Sequence, residues 1–175
     1  MSKLFKGMLL LVFSVLVLSA CSANIKEEQK ATNDAVSQVF NSAPKKTNNK
    51  NEDIRFYLPL GFEIKEKSSN NIVIKNGSKT YILFYNQQEN QESQVVYEAT
   101  INTKKDINYK KTYQKNKRFG YLLIKDIDKN LQELTVGIGG VKITTEAKTK
   151  SMQSEAKAMM DIVNSVKNIK EEGKE

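Results

Sequence analysis

The sequence predicts an α+β fold with a central antiparallel sheet of about six to seven strands, a C-terminal helix packed on that sheet and a further helix near the N-terminus. Three observations support this prediction. Residues 54–145 form short apolar or alternating segments separated by turn residues, as strands joined by hairpins do. Residues 151–167 and 25–42 instead carry apolar side chains at helical spacing. Because the turns between the predicted strands are short, antiparallel pairing is favoured over βαβ crossovers.

The predicted strands are rich in β-branched and aromatic residues, which fit a pleated, half-buried surface. They span residues 54–58, 62–65, 72–75, 80–85, 94–101, 119–124, 131–138 and 141–145. Asn76-Gly77 separates two of them and predicts a type I′ hairpin turn, because both residues tolerate a positive φ. Gly139-Gly140 predicts a second turn.

The C-terminal helix is expected from about Ser151 to Lys167, with Ser151 as N-cap and Glu155 in the first turn. Its apolar stripe must be buried against the sheet for such a short helix to be stable. The stripe comprises Met152, Ala156, Met159, Val163 and Val166. Residues 169–175 are predicted to form a charged tail.

The N-terminal helix is expected from Ile25 to Ser42, with Glu27 and Glu28 near its start and Pro44 beyond its end. Residues 43–53 contain no large apolar side chain and predict a flexible linker. On this basis residues 21–53 form a lipidated N-terminus, helix and linker, and residues 54–168 form the α+β domain. Two alternatives remain open for the helix: it is a free spacer, or it docks on the sheet through Val36, Val39 and Phe40.

The first 20 residues predict a signal peptide that is removed. Lys3 and Lys6 supply a positive start, and an apolar run from Met8 to Leu18 follows. Eleven residues in a helix cover only about 17 Å, roughly half of a bilayer core, so the run is too short to span a membrane stably. Its removal leaves 155 of the 175 residues and lowers the formal charge from +8 to about +6.

Leu18-Ser19-Ala20-Cys21 follows this run and resembles the lipobox of bacterial lipoproteins at all four positions. The resemblance implies diacylglycerol on the Cys21 sulfur, cleavage before Cys21 and often a further acyl chain, palmitate for example, on the new N-terminus. Cys21 is the only cysteine and has no internal disulfide partner. We therefore expect a lipid-anchored protein on the extracytoplasmic face of the cell membrane. A composition rich in Lys and Asn and without Trp favours a Firmicutes surface lipoprotein.

A second resemblance concerns the fold of residues 54–168. Phe56-Tyr-Leu-Pro-Leu-Gly-Phe62 resembles the opening of PsbP/Mog1-like domains and of exported Firmicutes domains, and Ile162-Val-Asn-Ser-Val-Lys167 is similar to the last helix of both groups. The resemblance implies an antiparallel sheet sandwiched by helices and a non-catalytic role. It brings no functional residue with it.

The composition excludes several chemistries. The chain has no His, which removes Ser-His-Asp and Cys-His catalysis and most zinc sites, and lipidation of Cys21 would leave no thiol nucleophile. No cofactor or metal site is expected. The basic residues are scattered, and Lys117-Arg118-Phe119 is the one arginine–aromatic neighbourhood, so nucleic acid is not an expected partner.

The remaining candidate sites are few. Ser78-Lys79 is formally a Ser–Lys dyad, but it is expected in a solvated hairpin turn. Glu98, Glu133 and Glu146 are expected on strands, and an enzyme would need two of them in one cleft. Gly137-Ile-Gly-Gly140 lies between strands and does not open a helix, so a turn explains it better than phosphate binding. Four tyrosines could lie exposed and stack on a sugar or peptide: Tyr57, Tyr85, Tyr109 and Tyr113.

These observations favour a membrane-anchored, non-catalytic binding or accessory module, with an envelope protein or a wall polymer as partner. The alternative is a carrier of a small ligand or lipid, held between sheet and helix. A persistent apolar cavity would favour the carrier.

Overall fold

A computed structural model describes residues 24–169, and its α+β architecture confirms the predicted fold class. Seven antiparallel strands form the main sheet in the order β3-β4-β5-β9-β8-β7-β6. Their bounds are β3 Glu63–Lys67, β4 Asn71–Asn76, β5 Lys79–Tyr85, β6 Tyr109–Lys115, β7 Arg118–Asp128, β8 Leu131–Ile138 and β9 Val141–Lys148. Sequential hairpins join β3 to β5 and β6 to β9, and the pairing of β5 with β9 closes the two groups into one sheet.

Helices α1 (Ile25–Asn41) and α3 (Met152–Asn164) lie side by side on one face of this sheet. The two helices run in the same direction, because the Asn164 amide at the end of α3 donates to the Val39 carbonyl near the end of α1 (3.0 Å). All five residues of the predicted α3 stripe are buried. Ser151 occupies the predicted N-cap position, but its hydroxyl donates to the Lys148 carbonyl and does not cap the helix.

Helix α2 (Val95–Thr103) covers part of the opposite face, so the prediction of a strand over residues 94–101 is wrong. The segment is β-branched, but Val96 and Thr100 are buried four residues apart, as on one side of a helix. Tyr97 and Ile101 add to this side and pack on the smaller apolar cluster, whose buried members on β7 are Phe119, Tyr121 and Leu123. Tertiary packing therefore overrides local β-propensity here.

The β4–β5 hairpin forms at the predicted place with a different turn. Asn76 pairs with Lys79, so the two central residues are Gly77 and Ser78. Only Gly77 has a positive φ (59°), which is the pattern of a type II′ turn and not of the predicted type I′ turn. The Gly139-Gly140 turn between β8 and β9 is as expected, with Gly139 at φ 54°.

The N-terminal helix is docked on the domain, as in the second alternative. Val36, Val39 and Phe40 are each at most 5% exposed and belong to the same core as the sheet and α3. Helix α1 therefore shares the core of residues 54–168, although it lies before the predicted boundary at residue 54.

The prediction of a flexible linker is contradicted for residues 48–53. Asn48 bonds Leu58 through both its amide nitrogen and its amide oxygen (3.0 and 2.7 Å). The short strand β1 (Asn49–Lys50) pairs with β2 (Ile54–Phe56), and β2 also pairs with β10 (Lys167–Asn168). Asparagine side chains replace the missing apolar contacts by satisfying backbone groups, a role that hydropathy does not reveal.

Candidate functional site

The parallel arrangement of α1 and α3 gives the domain two distinct ends. The N-terminus of α1 contacts the 3₁₀ turn Thr149–Ser151, and the backbone N–H of Thr149 donates to the Asn130 carbonyl in the β7–β8 turn (3.1 Å). The start of α1, the β7–β8 turn and the β4–β5 turn thus share one end, which we call the anchor end. The C-termini of α1 and α3, the β6–β7 turn and the β8–β9 turn share the other, which we call the far end.

Cys21 lies outside the described residues, but its place in the chain limits where a lipid on it can be. Helix α1 begins at Ile25, the fourth residue after Cys21, and four residue steps span at most about 14 Å. Asn24 caps the helix, since its side-chain oxygen accepts a hydrogen bond from the backbone N–H of Lys26 (3.1 Å). A lipid on Cys21 would therefore hold the anchor end close to the membrane. Within residues 24–169, no helix is long and apolar enough to cross a bilayer.

A cleft at the far end has a volume of about 520 Å³ and a mixed lining of amides, charges and aliphatic groups. Its rim is the loop from Asn86 to Ser93, and its floor contains Ile138, Val141, Val163 and Val166. The predicted strand bounds leave residues 86–93 only as a connection, and their run of amide and carboxyl side chains is the one sequence signal that could have marked a site.

The rim loop is held firmly by backbone bonds to two hairpin turns. Gly140 donates to the Asn90 carbonyl (3.2 Å), and Phe119 donates to the Gln91 carbonyl (2.8 Å). The Asn90 side chain accepts from the backbone N–H groups of Glu92 and Ser93. A Cβ on Gly139 would collide with the Asn90 backbone, so the close approach requires glycine there. Gly139 and Gly140 therefore allow the close packing of this loop that forms the cleft wall.

Lys117 projects from the β6–β7 turn onto two adjoining far-end clefts. Asn116 and Lys117 both have positive φ (50° and 57°), the geometry of a type I′ turn. Glycine is the usual second residue of this turn, and a lysine there costs about 1–2 kcal/mol of backbone strain. A side chain retained against such strain at a cleft is a candidate for function.

The two neighbouring cations have structural partners. The Lys115 ammonium and the Arg118 guanidinium both reach carbonyls at the C-terminus of α1, where the helix dipole favours positive charge. Arg118 also lies over the Phe40 ring (5.1 Å to its centroid) and donates to the Asn164 side chain. Burial lowers the pKa of the Arg118 guanidinium below its usual value. These contacts tie α1 to α3. Of the three cations, Lys117 alone lines the 520 Å³ cleft.

A second polar group lies on the sheet face beside α2. Lys142 donates to Thr100 (2.9 Å), and its ammonium lies 5.5 Å from the centre of the Phe84 ring. Lys104 pairs with Glu133 (2.6 Å). Burial, followed by repulsion from Lys104, lowers the pKa of the Lys142 ammonium.

Two of the three candidate carboxylates come together. Glu133 and Glu146 face each other across β8 and β9 and line one groove of about 510 Å³ on the sheet face, whereas Glu98 lies on α2. Directly opposed residues have Cβ atoms about 4.5–5.5 Å apart. Glu133 is already paired with Lys104, and Glu146 is exposed.

The Ser78-Lys79 pair does not form a dyad. Ser78 is exposed in the hairpin turn, as expected, but Lys79 turns to the buried Glu155 carboxylate, which also accepts from the Tyr81 hydroxyl (2.6 Å). Burial, and next the Glu155 hydrogen bond, raises the pKa of the Tyr81 phenol far above its usual value. This group joins β5 to the first turn of α3 and has a structural role.

The four tyrosines that could have formed an exposed aromatic platform do not form one. Tyr85 is 1% exposed and its hydroxyl accepts from the Asn51 amide (2.7 Å), while Tyr109 and Tyr113 pack against the main core and Tyr57 is half-buried. Among residues 24–169 there is no group of three or more side chains able to hold a metal ion.

No protein-family model matches the chain, and no curated protein matches it.

Proposed function

We propose that this chain is a lipid-anchored, extracytoplasmic and non-catalytic binding module that presents its far-end cleft to an envelope partner. The observation that carries the proposal is that one docked helix, α1, extends from the anchor end to the far-end cleft. Helix α1 begins four residues after Cys21, packs along α3 and ends at the far end, so a lipid on Cys21 directs the cleft away from the membrane.

The chemistry of the cleft favours a polar macromolecular partner. Its amide side chains can donate and accept hydrogen bonds. The lining also carries both signs of charge, from Glu89, Glu92, Lys117 and Lys167, and a small aliphatic floor lies beneath. Such a mixture suits a protein surface with satisfied hydrogen bonds at its rim. A wall polymer is the other partner that these groups could bind.

The carrier alternative has less support. The layer between sheet and helices is filled by large side chains such as Tyr81, Leu83, Met159 and Met160, all at 0% exposure. A ligand between sheet and α3 would have to displace them.

The Glu133–Glu146 pair also favours binding over catalysis. A glycoside hydrolase needs one protonated and one ionised carboxyl group in a cleft that excludes water. Here Glu133 is paired with Lys104 (2.6 Å) and Glu146 is exposed, so the two carboxyl groups do not form an enclosed pair.

Site-specific photo-crosslinking in cells tests the proposal. A photoreactive amino acid at position 92 or 117 should give discrete crosslinked products, and the same group at Lys111 on the outer strand β6 should not. The cleft substitution Lys167→Glu should weaken the products formed from position 92. Equal crosslinking from all three positions, or products from position 111 alone, would refute the assignment of the cleft.

A further inference from the structure

The anchor end carries two of the most exposed large apolar side chains of the described residues. Leu60 is 101% exposed and Ile127 is 46% exposed. Leu60 is the second residue of a turn closed by the Phe62 N–H donating to the Pro59 carbonyl (3.1 Å), and Gly61 follows it at φ 85°. A Cβ on Gly61 would lie 3.6 Å from the Asn76 side chain, which places this turn beside the β4–β5 hairpin of the anchor end.

Ile127 owes its exposure to a β-bulge. Asp126 pairs with Gln132 and Asp128 pairs with Leu131, so Ile127 is the extra, unpaired residue of β7. Bulges of this kind turn a side chain out of the regular alternation. The neighbouring isoleucine of the same strand, Ile124, points into the core at 0% exposure.

Three lysines lie at the same end of the fold. Lys129 lies in the β7–β8 turn, and Lys148 and Lys150 flank Thr149, whose backbone binds that turn. All three are exposed, and no ion pair is formed by any of them within residues 24–169. Asp126 and Asp128 lie in the same region, but Asp128 accepts from the Lys129 backbone (2.7 Å), and lysine side chains reach further than aspartate.

We propose that the anchor end is a second membrane contact, in which Leu60 and Ile127 enter the interfacial region of the bilayer while Lys129, Lys148 and Lys150 bind anionic phospholipid head groups. This surface is continuous with the lipid anchor of the proposed function, on which the inference rests. The three residues between Cys21 and Ile25 are too few to lift the domain away from the bilayer. The contact fixes the tilt of the domain, which one lipidated residue alone would leave free.

Single tryptophans can test this orientation, because the chain contains none. The mature chain from residue 21 is coupled through Cys21, its only cysteine, to a maleimide phospholipid in vesicles. Leu60→Trp and Ile127→Trp place the fluorophore in the proposed contact. Val95→Trp is the matched control, since Val95 is 52% exposed on the first residue of α2, beside the far-end loop.

In vesicles containing phosphatidylglycerol, the indoles at 60 and 127 should shift to shorter emission wavelengths and be quenched by brominated lipids, and the indole at 95 should not.

Each lysine near an anionic surface contributes about fivefold in affinity. In a mature chain carrying Cys21→Ser and not coupled to lipid, the triple change K129E/K148E/K150E should therefore weaken vesicle binding at least tenfold. The control triple K45E/K46E/K111E should change binding little, and all variants should keep the wild-type thermal unfolding.

Quenching at position 95 equal to that at 60 and 127, or no quenching at 60 and 127, would overturn the inference. Equal loss of binding in the two triple variants would mean that binding depends only on the net charge of the protein, and this result would also overturn the inference. The maleimide supplies the anchor chemically, so these results do not depend on acylation in the cell. That acylation is tested separately by lipid labelling of the wild type and of Cys21→Ser, in which loss of label in the variant is expected.

Discussion

Phe40→Ala should destabilise the domain by about 3–5 kcal/mol, because Phe40 fixes α1 to the sheet. The ring is 1% exposed, and a Cβ on Gly120 would lie only 2.7 Å from it, so sheet and ring are in close contact. The Tyr113 ring lies 5.6 Å away and Arg118 lies over the other side. Losing the cation–π contact adds about 0.5–2 kcal/mol to the cost of the cavity.

The same reasoning applies to removal of the whole helix. Burial of Val36, Val39 and Phe40 contributes roughly 1.5–3 kcal/mol each, a sum comparable with the roughly 5–15 kcal/mol that keeps a domain folded. A fragment of residues 44–175 should therefore fail to fold cooperatively, although the sequence alone favours an independent domain from residue 54.

Urea unfolding followed by circular dichroism measures both effects. Gln38→Ala, at an exposed position of α1, is the matched control and should shift the midpoint little. If Phe40→Ala costs less than about 1 kcal/mol, or if the 44–175 fragment unfolds at the wild-type urea concentration, α1 does not belong to the core.

Three further predictions concern single positions. Lys117→Gly should stabilise the domain by about 1 kcal/mol in urea unfolding by relieving the positive φ, yet weaken crosslinking at position 92; destabilisation would contradict the turn geometry. Because the pKa of the Tyr81 phenol is raised on folding, its contribution to stability is complete below pH of about 10 and is lost as pH rises toward the folded-state value. Tyr81→Phe should make the fall in urea midpoint between pH 8 and 11 shallower, and an identical fall in both proteins would refute this. Gly137→Ala would place a methyl group in the Tyr121 ring and should cost about 1–3 kcal/mol in thermal unfolding, whereas unchanged stability would show that the ring can move.

The elements that could be predicted from the sequence are those whose periodicity agrees with their packing. The α3 stripe from Met152 to Val166 and the alternating residues Ile54, Phe56 and Leu58 are buried, as the pattern indicates. Helix α2 was missed because five of its nine residues are β-branched and only tertiary contacts select the helix.

The far-end cleft was not predictable either, for a different reason. It depends on the Asn90 backbone meeting Gly139 and Gly140, residues about 50 positions apart in the chain. Polar loops carry no periodic signal for such contacts. The pairing of Glu133 with Glu146 was likewise hidden, because it depends on the register of β8 with β9.

The position of β2 between β1 and β10 has a consequence for folding. Residues near 50, 55 and 168 meet in one small sheet, and α1, the first helix of the described residues, packs on α3, the last of them. The small sheet and the packing of α1 therefore cannot form until the end of the chain has been made. If the chain is exported as proposed, this delay would leave the translocating segment unfolded and the predicted cleavage site accessible, because the core needs its last helix. A chain ending at Lys150 should accordingly remain sensitive to protease along its whole length.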